Sequence, residues 1–138
     1  MSVSRMTGWS TVAFINLEIN AITLSTPEMA ESVRFWTVPG LEVTYGGPRD
    51  PFTTLALGAN YINLFTVEPS EAVAEQSGAT FWGRVVLHVP SPDDMWQRYL
   101  DAGYEPMTEP ADAPWGERYF HIRDPGGHEI SFAIPLDS

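Results

Sequence analysis

A repeat at a spacing of 63 residues is the feature that most constrains how this chain can fold. The runs AITLST (21–26) and RVVLHV (84–89) each precede a helix that begins with proline. The runs PGLEV (39–43) and AGYEP (102–106) each place a glycine between that helix and an extended segment. Because the offset is the same at both landmarks, the chain is expected to contain a duplicated unit. One unit alone cannot bury both its helix and its sheet face, so the two copies should share a core.

Both copies show the same order of elements, which is a strand, a helix and then three strands. In the first copy the extended run from Ser10 to Leu24 leads into a helix in PEMAESVRFWTV, for which Thr26 is the expected N-cap and Pro27 the expected first residue. In the second copy Ser91 is the expected N-cap of a helix that includes MWQRYLDAG. The other extended runs are predicted strands: LEVTY, FTTLALG and NYINLFTV, then FWGRVVLHV, YEPMTEP, ERYFHIR and EISFAIP.

A polar segment of small residues, EPSEAVAEQSGAT at 68–80, separates the two copies and is the expected linker. The sequence therefore predicts an α+β protein in which residues 1–138 form a single domain. Its two modules are expected at about 12–67 and 81–135.

Composition excludes several classes of function. The chain has no cysteine, which rules out disulfides, thiolate metal sites and cysteine nucleophiles. Its net charge of −11 opposes binding to a phosphate backbone, so no nucleic acid is expected among its partners. No apolar run reaches the length of a membrane span, and the first residues lack the pattern of a signal peptide. We therefore expect a cytoplasmic protein that has no membrane partner.

Two segments make the chain resemble a known superfamily. They are AITLSTPEMAESVRFWTVPGLEV (21–43) and APWGERYFHIRDPGGHEISF (113–132), which contains the turn Asp-Pro-Gly-Gly. In these features the chain resembles the vicinal oxygen chelate superfamily of glyoxalase I, bleomycin-resistance proteins, fosfomycin-resistance proteins and extradiol dioxygenases. The resemblance covers residues 12 to 135. It implies two βαβββ modules that form a curved, half-open mixed sheet around a cleft, with the helices on the outer face.

The resemblance also implies where a divalent metal would bind. In the metal-dependent members, four cleft positions on the first and fourth strand of each module supply ligands such as His, Gln or Glu. The matching positions here are Ala21, Asn63, Arg84 and Ser131. Alanine has no donor atom, arginine carries a permanent positive charge, and asparagine and serine are weak oxygen donors. The sequence therefore favours a protein without a metal or other cofactor, and a metal at a displaced site is the less favoured alternative.

Strand alternation predicts which side chains line the cleft. Aliphatic and phenylalanine positions such as Ile62, Leu64 and Phe120 are expected in the core, so their neighbours should face the cleft. These neighbours are Ile19, Ala21, Thr23, Tyr61, Asn63, Phe65, Arg84, Val86, His88, Tyr119, His121, Glu129, Ser131 and Ala133. Trp82 and Trp115 are expected at the rim of the cleft, and Trp36 and Trp96 in the core.

Polar residues of the second module are candidates for chemistry. His121, Glu129 and His88 are expected near one another as a polar wall, as a general acid/base set, or as a displaced metal site, in that order of preference. Arg84 either binds an anionic or carbonyl-bearing ligand or pairs with Glu129. The Asp-Pro-Gly-Gly turn is expected to be structural, and His128 beside it exposed and without a role.

The aromatic residues favour binding of a flat, partly apolar organic ligand. The first hypothesis is a bleomycin-resistance-like homodimer that sequesters a small molecule, with a site that joins Tyr61, Asn63, Phe65, Arg84, Tyr119, Ser131, Trp115 and Trp82. The second hypothesis is a lyase, isomerase or epoxide-opening enzyme of the same superfamily that uses His121 or His88 with Glu129, with or without a metal. The third is a subunit without a ligand, whose cleft is filled by side chains.

Overall fold

The computed structural model describes residues 17–73 and 83–137, which form two modules in the expected order. The first module consists of β1 (Ala21–Thr26), α1 (Met29–Thr37), β2 (Glu42–Tyr45), β3 (Phe52–Leu57) and β4 (Asn60–Thr66). A short 3-10 turn at Pro69–Glu71 follows it. The second module consists of β5 (Arg84–His88), α2 (Pro92–Asp101), β6 (Ala111–Asp112), β7 (Glu117–Arg123) and β8 (Glu129–Pro135). Within these ranges, no helix is long and apolar enough to cross a lipid bilayer.

The two sheets have the same topology, which confirms the duplication and the α+β class. Their strand orders are β1-β4-β3-β2 and β5-β8-β7-β6. In each sheet the first strand of the module runs parallel to the last, and the other pairs are antiparallel. The glycines that follow the helices, Gly40 and Gly103, both have positive φ, at +107° and +94°. A residue with a side chain is strained there, so each glycine allows the chain to turn after its helix.

One hydrophobic core joins the modules. It contains Phe35 and Trp36 of α1, Tyr99 of α2, and inward-facing residues of both sheets such as Ile62 and Phe132. The Tyr99 hydroxyl donates a hydrogen bond of 3.1 Å to the Phe35 carbonyl, and the two rings lie 4.9 Å apart. Both helices therefore cover the same side of the sheets, and the opposite face of the sheets is not covered by a helix of the part of the chain that the structure describes.

The first helix begins later than the sequence predicts. Thr26 is the last residue of β1 and is buried, and the helix starts at Met29, with Glu28 as the N-cap residue. The Thr26 hydroxyl still accepts a hydrogen bond of 3.0 Å from the Glu28 amide, but this bond links the end of β1 to the N-cap residue and does not cap the helix itself. Prediction of Thr26 as N-cap was wrong because parallel pairing with β4 holds this residue in the sheet. The prediction for Ser91 is confirmed, since its side chain accepts from the Asp94 amide.

The strand predicted at YEPMTEP does not form. Residues 104–110 lie outside any strand, and the neighbour of β7 is the two-residue β6. Pro106 and Pro110 cannot donate a backbone hydrogen bond, so a continuous ladder is prevented. Isolated bonds to β7 take its place, such as the 2.8 Å bond from the Met107 amide to the His121 carbonyl.

The turn before β8 is structural, as expected, but His128 is not exposed. It is 5% exposed, and its amide donates a 2.7 Å hydrogen bond to the Asp124 carboxylate. Its ring nitrogen Nδ1 lies 3.0 Å from the same oxygen. The prediction was wrong because the turn packs against the first module, where a Cβ added at Gly126 would collide with the Ser25 carbonyl oxygen. The turn thus joins the modules at a second place.

Candidate functional site

The face of the two sheets opposite the helices, here called the cleft face, carries the candidate site. The expected core side of the strands is buried: Leu24, Ile62, Leu64, Phe120, Ile122, Ile130 and Phe132. Neighbouring residues in the same strands point to the cleft face. On the second sheet the strand register arranges them in rows, each crossing β5, β8 and β7. The rows are Arg84–Glu129–Arg123, Val86–Ser131–His121 and His88–Ala133–Tyr119.

Arg84 and Glu129 form an ion pair on neighbouring strands. The guanidinium donates two hydrogen bonds to the same oxygen, Oε2, from Nε at 2.9 Å and from Nη2 at 2.6 Å. Glu129 is only 8% exposed, whereas about a third of the Arg84 side chain is exposed. A buried carboxylate needs such a partner, so Arg84 at least compensates the charge of Glu129.

His121 lies beside this pair, in the next row. Its amide donates a 2.9 Å hydrogen bond to the Thr108 hydroxyl, which fixes the backbone. Nδ1 of its ring is buried and has no hydrogen-bond partner among the residues that the structure describes. Burial lowers the pKa of His121, the positive charge of Arg84 lowers it further, and Glu129 opposes the change. These surroundings favour the neutral imidazole, which offers one donor and one acceptor nitrogen.

A row of three flat rings runs from His121 along β7 to Trp115, which lies just before the strand. The rings of His121 and Tyr119 lie 4.8 Å apart, and Tyr119 stacks on Trp115 at 5.9 Å with 29° between the ring planes. Trp115 is 69% exposed, and its Nε1 donates a 2.9 Å hydrogen bond to Glu117. An exposed indole held in place by a hydrogen bond and a stacked neighbour offers a planar contact surface at low entropic cost.

His88 does not join His121 and Glu129. It lies on β5, two strands away from His121, and most of its side chain is exposed. Its Nε2 is 3.6 Å from the Glu117 carboxylate. The three residues that the sequence groups together thus divide into a cluster of His121, Glu129 and Arg84 and a separate pair of His88 and Glu117.

The first sheet presents a polar row between aromatic residues. The Thr54 hydroxyl donates a 2.7 Å hydrogen bond to Asn63 Oδ1, and Asn63 Nδ2 donates a 3.2 Å bond to the Thr23 hydroxyl. Both ends of the Asn63 amide are therefore occupied. Tyr61 and Phe65 flank Asn63 on the same strand face and are partly exposed.

A cavity of about 380 Å³ lies where the first sheet meets β5. Its lining comes from β1, β3, β4 and β5 and the residue at 19: Ile19, Ile22, Leu57, Asn60, Tyr61, Arg84, Val85, Val86 and Leu87. Most of these side chains are apolar, and Tyr61, Asn60 and Arg84 bring polar groups to it. This volume and this lining suit a small organic molecule.

The residues at the superfamily's metal positions do not fit a divalent ion. Ala21 has no donor, Arg84 holds its positive charge on Glu129, and the amide of Asn63 is bonded to Thr54 and Thr23. Ser131, the fourth position, is 3% exposed. Across residues 17–73 and 83–137, no group of three or more His, Asp or Glu side chains is arranged to hold a metal.

Several residues of the cleft face were not singled out by sequence reasoning. Phe52 and Thr54 share the face of Phe65 and Asn63, because β3 pairs Phe52 with Phe65 and Thr54 with Asn63. Alternation around the buried Leu55 would have identified them. Glu117, which contacts both Trp115 and His88, has the same parity as Tyr119. Trp82, expected at the rim, lies outside the described residues.

A family model matches the chain over residues 18–132, and it is the model of the Glyoxalase/Bleomycin resistance protein/Dioxygenase superfamily. The match spans both modules. This chain belongs to the glyoxalase/bleomycin resistance protein/dioxygenase superfamily. A relative of this superfamily member is the uncharacterized protein Mb0911c of Mycobacterium bovis, 31% identical over 118 residues, which cover 79% of this chain and 78% of that protein.

Solved structures show the same fold in the superfamily. TioX from Micromonospora sp. ML1 superposes with a TM-score of 0.67 at 22% identity, covering 86% of this chain and 99% of that one. Lactoylglutathione lyase from Agrobacterium tumefaciens superposes with a TM-score of 0.63 at 18% identity, covering 84% of this chain and 92% of that one. At these identities the likeness concerns the fold alone, so function has to be argued from the site.

Proposed function

We propose that this superfamily member binds a small, flat organic molecule between its two sheets and needs no metal to do so. The observation that carries the proposal is the cavity of about 380 Å³, which joins apolar side chains of both modules to Tyr61 and Arg84. The residues at the family's metal positions are unsuited to an ion, so recognition rests on shape, aromatic contacts and a few hydrogen bonds.

The charge of the site narrows the class of ligand. Arg84 and Glu129 neutralise each other, and the whole chain carries a net charge of −11. An anionic ligand would be repelled by the chain and would meet no uncompensated cation at this pair. The ligand is therefore proposed to be neutral or cationic, with a planar ring that contacts Tyr61.

A substitution that fills the cavity tests the proposal. Val86 lines the cavity and is 51% exposed, so Val86→Trp would occupy the space without disturbing the core. Val43→Trp, on the exposed strand β2, adds the same ring away from the cavity and serves as the matched control. With 2-naphthol as a neutral bicyclic probe, calorimetry should show binding to the natural chain and to Val43→Trp, and a loss of at least tenfold in Val86→Trp. Equal affinity in all three proteins would contradict the proposal.

Enzymatic activity as a lyase, isomerase or epoxide-opening enzyme is the second candidate function, and the observation that favours it is the buried His121 Nδ1, which has no hydrogen-bond partner among the described residues and lies near the Glu129 carboxylate. A neutral histidine next to a carboxylate can accept a proton from a bound substrate. His88 is distant from this cluster, so the alternative rests on His121 with Glu129. If turnover of any substrate is found, His121→Gln should abolish it and His88→Gln should leave it largely intact. Loss of turnover in His88→Gln with turnover retained in His121→Gln would instead assign the proton transfer to His88 on β5.

We further propose that the chain forms a homodimer, as expected from its superfamily. Ile19, an exposed apolar residue, lines the cavity, and a partner chain that covers it would also enclose the ligand. Light scattering on the eluted protein should then give twice the chain mass of 15.3 kDa. A single-chain mass over a wide range of protein concentration would overturn this proposal.

A further inference from the structure

The loop between β2 and β3 forms a second cavity, of about 370 Å³, that shares no residue with the one between the sheets. Its lining consists of Tyr45, Gly46, Asp50, Pro51 and Phe52. The superfamily's metal positions lie elsewhere, and none of these five residues was assigned a role from the sequence.

The loop is held in a fixed shape, so the cavity walls are formed in advance. The Gly47 amide donates a 3.0 Å hydrogen bond to the buried Thr53 hydroxyl, which in turn donates a 2.9 Å bond to the Gly47 carbonyl. Gly46 has a φ of +74°, and a Cβ at this position would collide with the Phe52 carbonyl oxygen. Only glycine permits this close approach of the two strands. The approach places Tyr45 and Phe52 beside each other.

Two aromatic rings form adjoining walls of the cavity. The centroids of Tyr45 and Phe52 are 6.4 Å apart, and their planes are inclined by 63°. Their contact is T-shaped, and both side chains line the cavity and remain partly exposed to solvent. The face of an aromatic ring carries a partial negative charge, so a cation in the cavity is attracted by the ring faces that it reaches.

The carboxylate of Asp50 adds a full negative charge to this wall. Asp50 is exposed, and within the part of the chain that the structure describes its side chain has neither a hydrogen bond nor an ion pair. Arg49, its neighbour in sequence, lines a neighbouring cavity of about 330 Å³, to which Asp50 and Pro51 also contribute, and it is absent from the lining of this one. The net charge of −11 adds a favourable long-range field for a cation.

We propose that Tyr45, Phe52 and Asp50 form a binding site for a quaternary or alkylated ammonium group. The two rings contact the methyl groups and the positive charge, and the carboxylate provides the opposite charge at the edge of the cavity. A strongly hydrated ammonium of the lysine type gains less here, because the exposed rings cannot replace its hydrogen bonds to water.

A pair of isosteric probes tests the charge requirement. Choline and 3,3-dimethyl-1-butanol have the same shape, but only choline is charged. In an amide NMR titration at low salt, choline should shift the signals of Tyr45, Gly46, Gly47, Asp50 and Phe52 along a saturable curve, and the alcohol should not. Equal effects of the two probes, or no saturable shift of these signals with choline, would overturn the proposal.

Substitutions then separate the local carboxylate from the overall charge. Asp50→Asn keeps the side-chain shape, and Glu109→Gln, at an exposed position elsewhere, removes one negative charge in the same way. Choline affinity should fall in Asp50→Asn and stay unchanged in Glu109→Gln, and Tyr45→Ala should weaken it by about twofold to fivefold. Equal losses of choline affinity in both charge variants would show that only the net charge of the chain matters, and would refute the site.

The two proposals fail independently. Val86→Trp fills the cavity between the sheets and lies outside this loop, so it should leave the choline titration unchanged. Loss of 2-naphthol binding with retained choline shifts identifies two separate sites. Loss of the choline response in Val86→Trp would show that the ammonium group occupies the cavity between the sheets, and would overturn the site at Asp50.

Discussion

Glu129 receives two hydrogen bonds from Arg84 on one carboxylate oxygen, and these bonds join the edge strand β5 to the central strand β8. Arg84 stands at a position where the metal-dependent members of the superfamily carry a ligand. A positively charged guanidinium thus takes the place of a metal-binding side chain. The pair supplies charge compensation from within the chain, and this is the reason that the site is proposed to act without metal.

Breaking this pair should destabilise the fold. Arg84→Met leaves the buried Glu129 carboxylate without its partner, and we expect a loss of about 1–3 kcal/mol in the free energy of unfolding, because a buried acceptor keeps its desolvation penalty. The double variant Arg84→Met/Glu129→Leu should recover most of that loss. Urea unfolding measures both values. A double variant that is no more stable than the single one would contradict the expected charge pairing.

The stability of the protein should depend on pH through His121. Its pKa is lowered in the folded chain, so the unfolded chain takes up a proton first as the pH falls. The neutral His121 ring contributes fully to the free energy of unfolding above pH 6.5, the ordinary pKa of histidine. This contribution is lost as the pH falls from there through the pKa of the folded chain. His121→Gln should therefore lose less stability than the natural chain between neutral and mildly acidic pH. Urea midpoints at matched pH values check this, and parallel curves would argue against it.

Gly126 should not tolerate a side chain. A Cβ there would collide with the Ser25 carbonyl oxygen and with the His128 ring, so Gly126→Ala should cost about 1–3 kcal/mol as a case of overpacking. Gly47→Ala is the matched control, because its nearest neighbour, Asp50 Oδ2, would be 3.7 Å away, at ordinary contact distance. Thermal unfolding should place Gly47→Ala near the natural chain. Equal melting temperatures for the two variants would show that the contact of the turn with β1 is not rigid.

Divalent metals should have no specific effect. Because Arg84 repels a cation and the Asn63 amide is engaged on both sides, Zn²⁺, Mn²⁺ or a chelator should leave the melting temperature and the affinity for 2-naphthol unchanged. Differential scanning fluorimetry with each ion measures this. A saturable rise that a chelator reverses and that disappears in Asn63→Ala would contradict the prediction and restore a metal to this position.

Much of the fold followed from local patterns. Features that depend on a few neighbouring residues were predicted correctly. They are the glycines after the helices, Gly40 and Gly103, the Ser91 N-cap, and the alternation around Ile62 and Phe120. The predictions that failed depended on contacts between distant segments. Thr26 is held by β4, and His128 is buried because its turn packs on β1.

The candidate site divides in the same way. Alternation identified the face that carries Tyr61, Asn63, His121 and Glu129, because side-chain direction is a property of a single strand. It did not identify which of them would meet. Strand order and register decide which side chains meet. They bring Arg84 to Glu129, His88 to Glu117, and Thr54 and Thr23 to Asn63.

The sequence by itself determined the duplicated βαβββ pattern, the faces of the strands and the unsuitability of Ala21 and Arg84 as metal ligands. These are properties of residue type and spacing, which act within a few positions along the chain. Only the tertiary structure decided that the Arg84 charge is held on Glu129, that a cavity opens between the sheets, and that Tyr45, Phe52 and Asp50 line one loop cavity. The physical reason is that burial and pairing in space depend on which distant segments pack together, and residue spacing does not encode this locally.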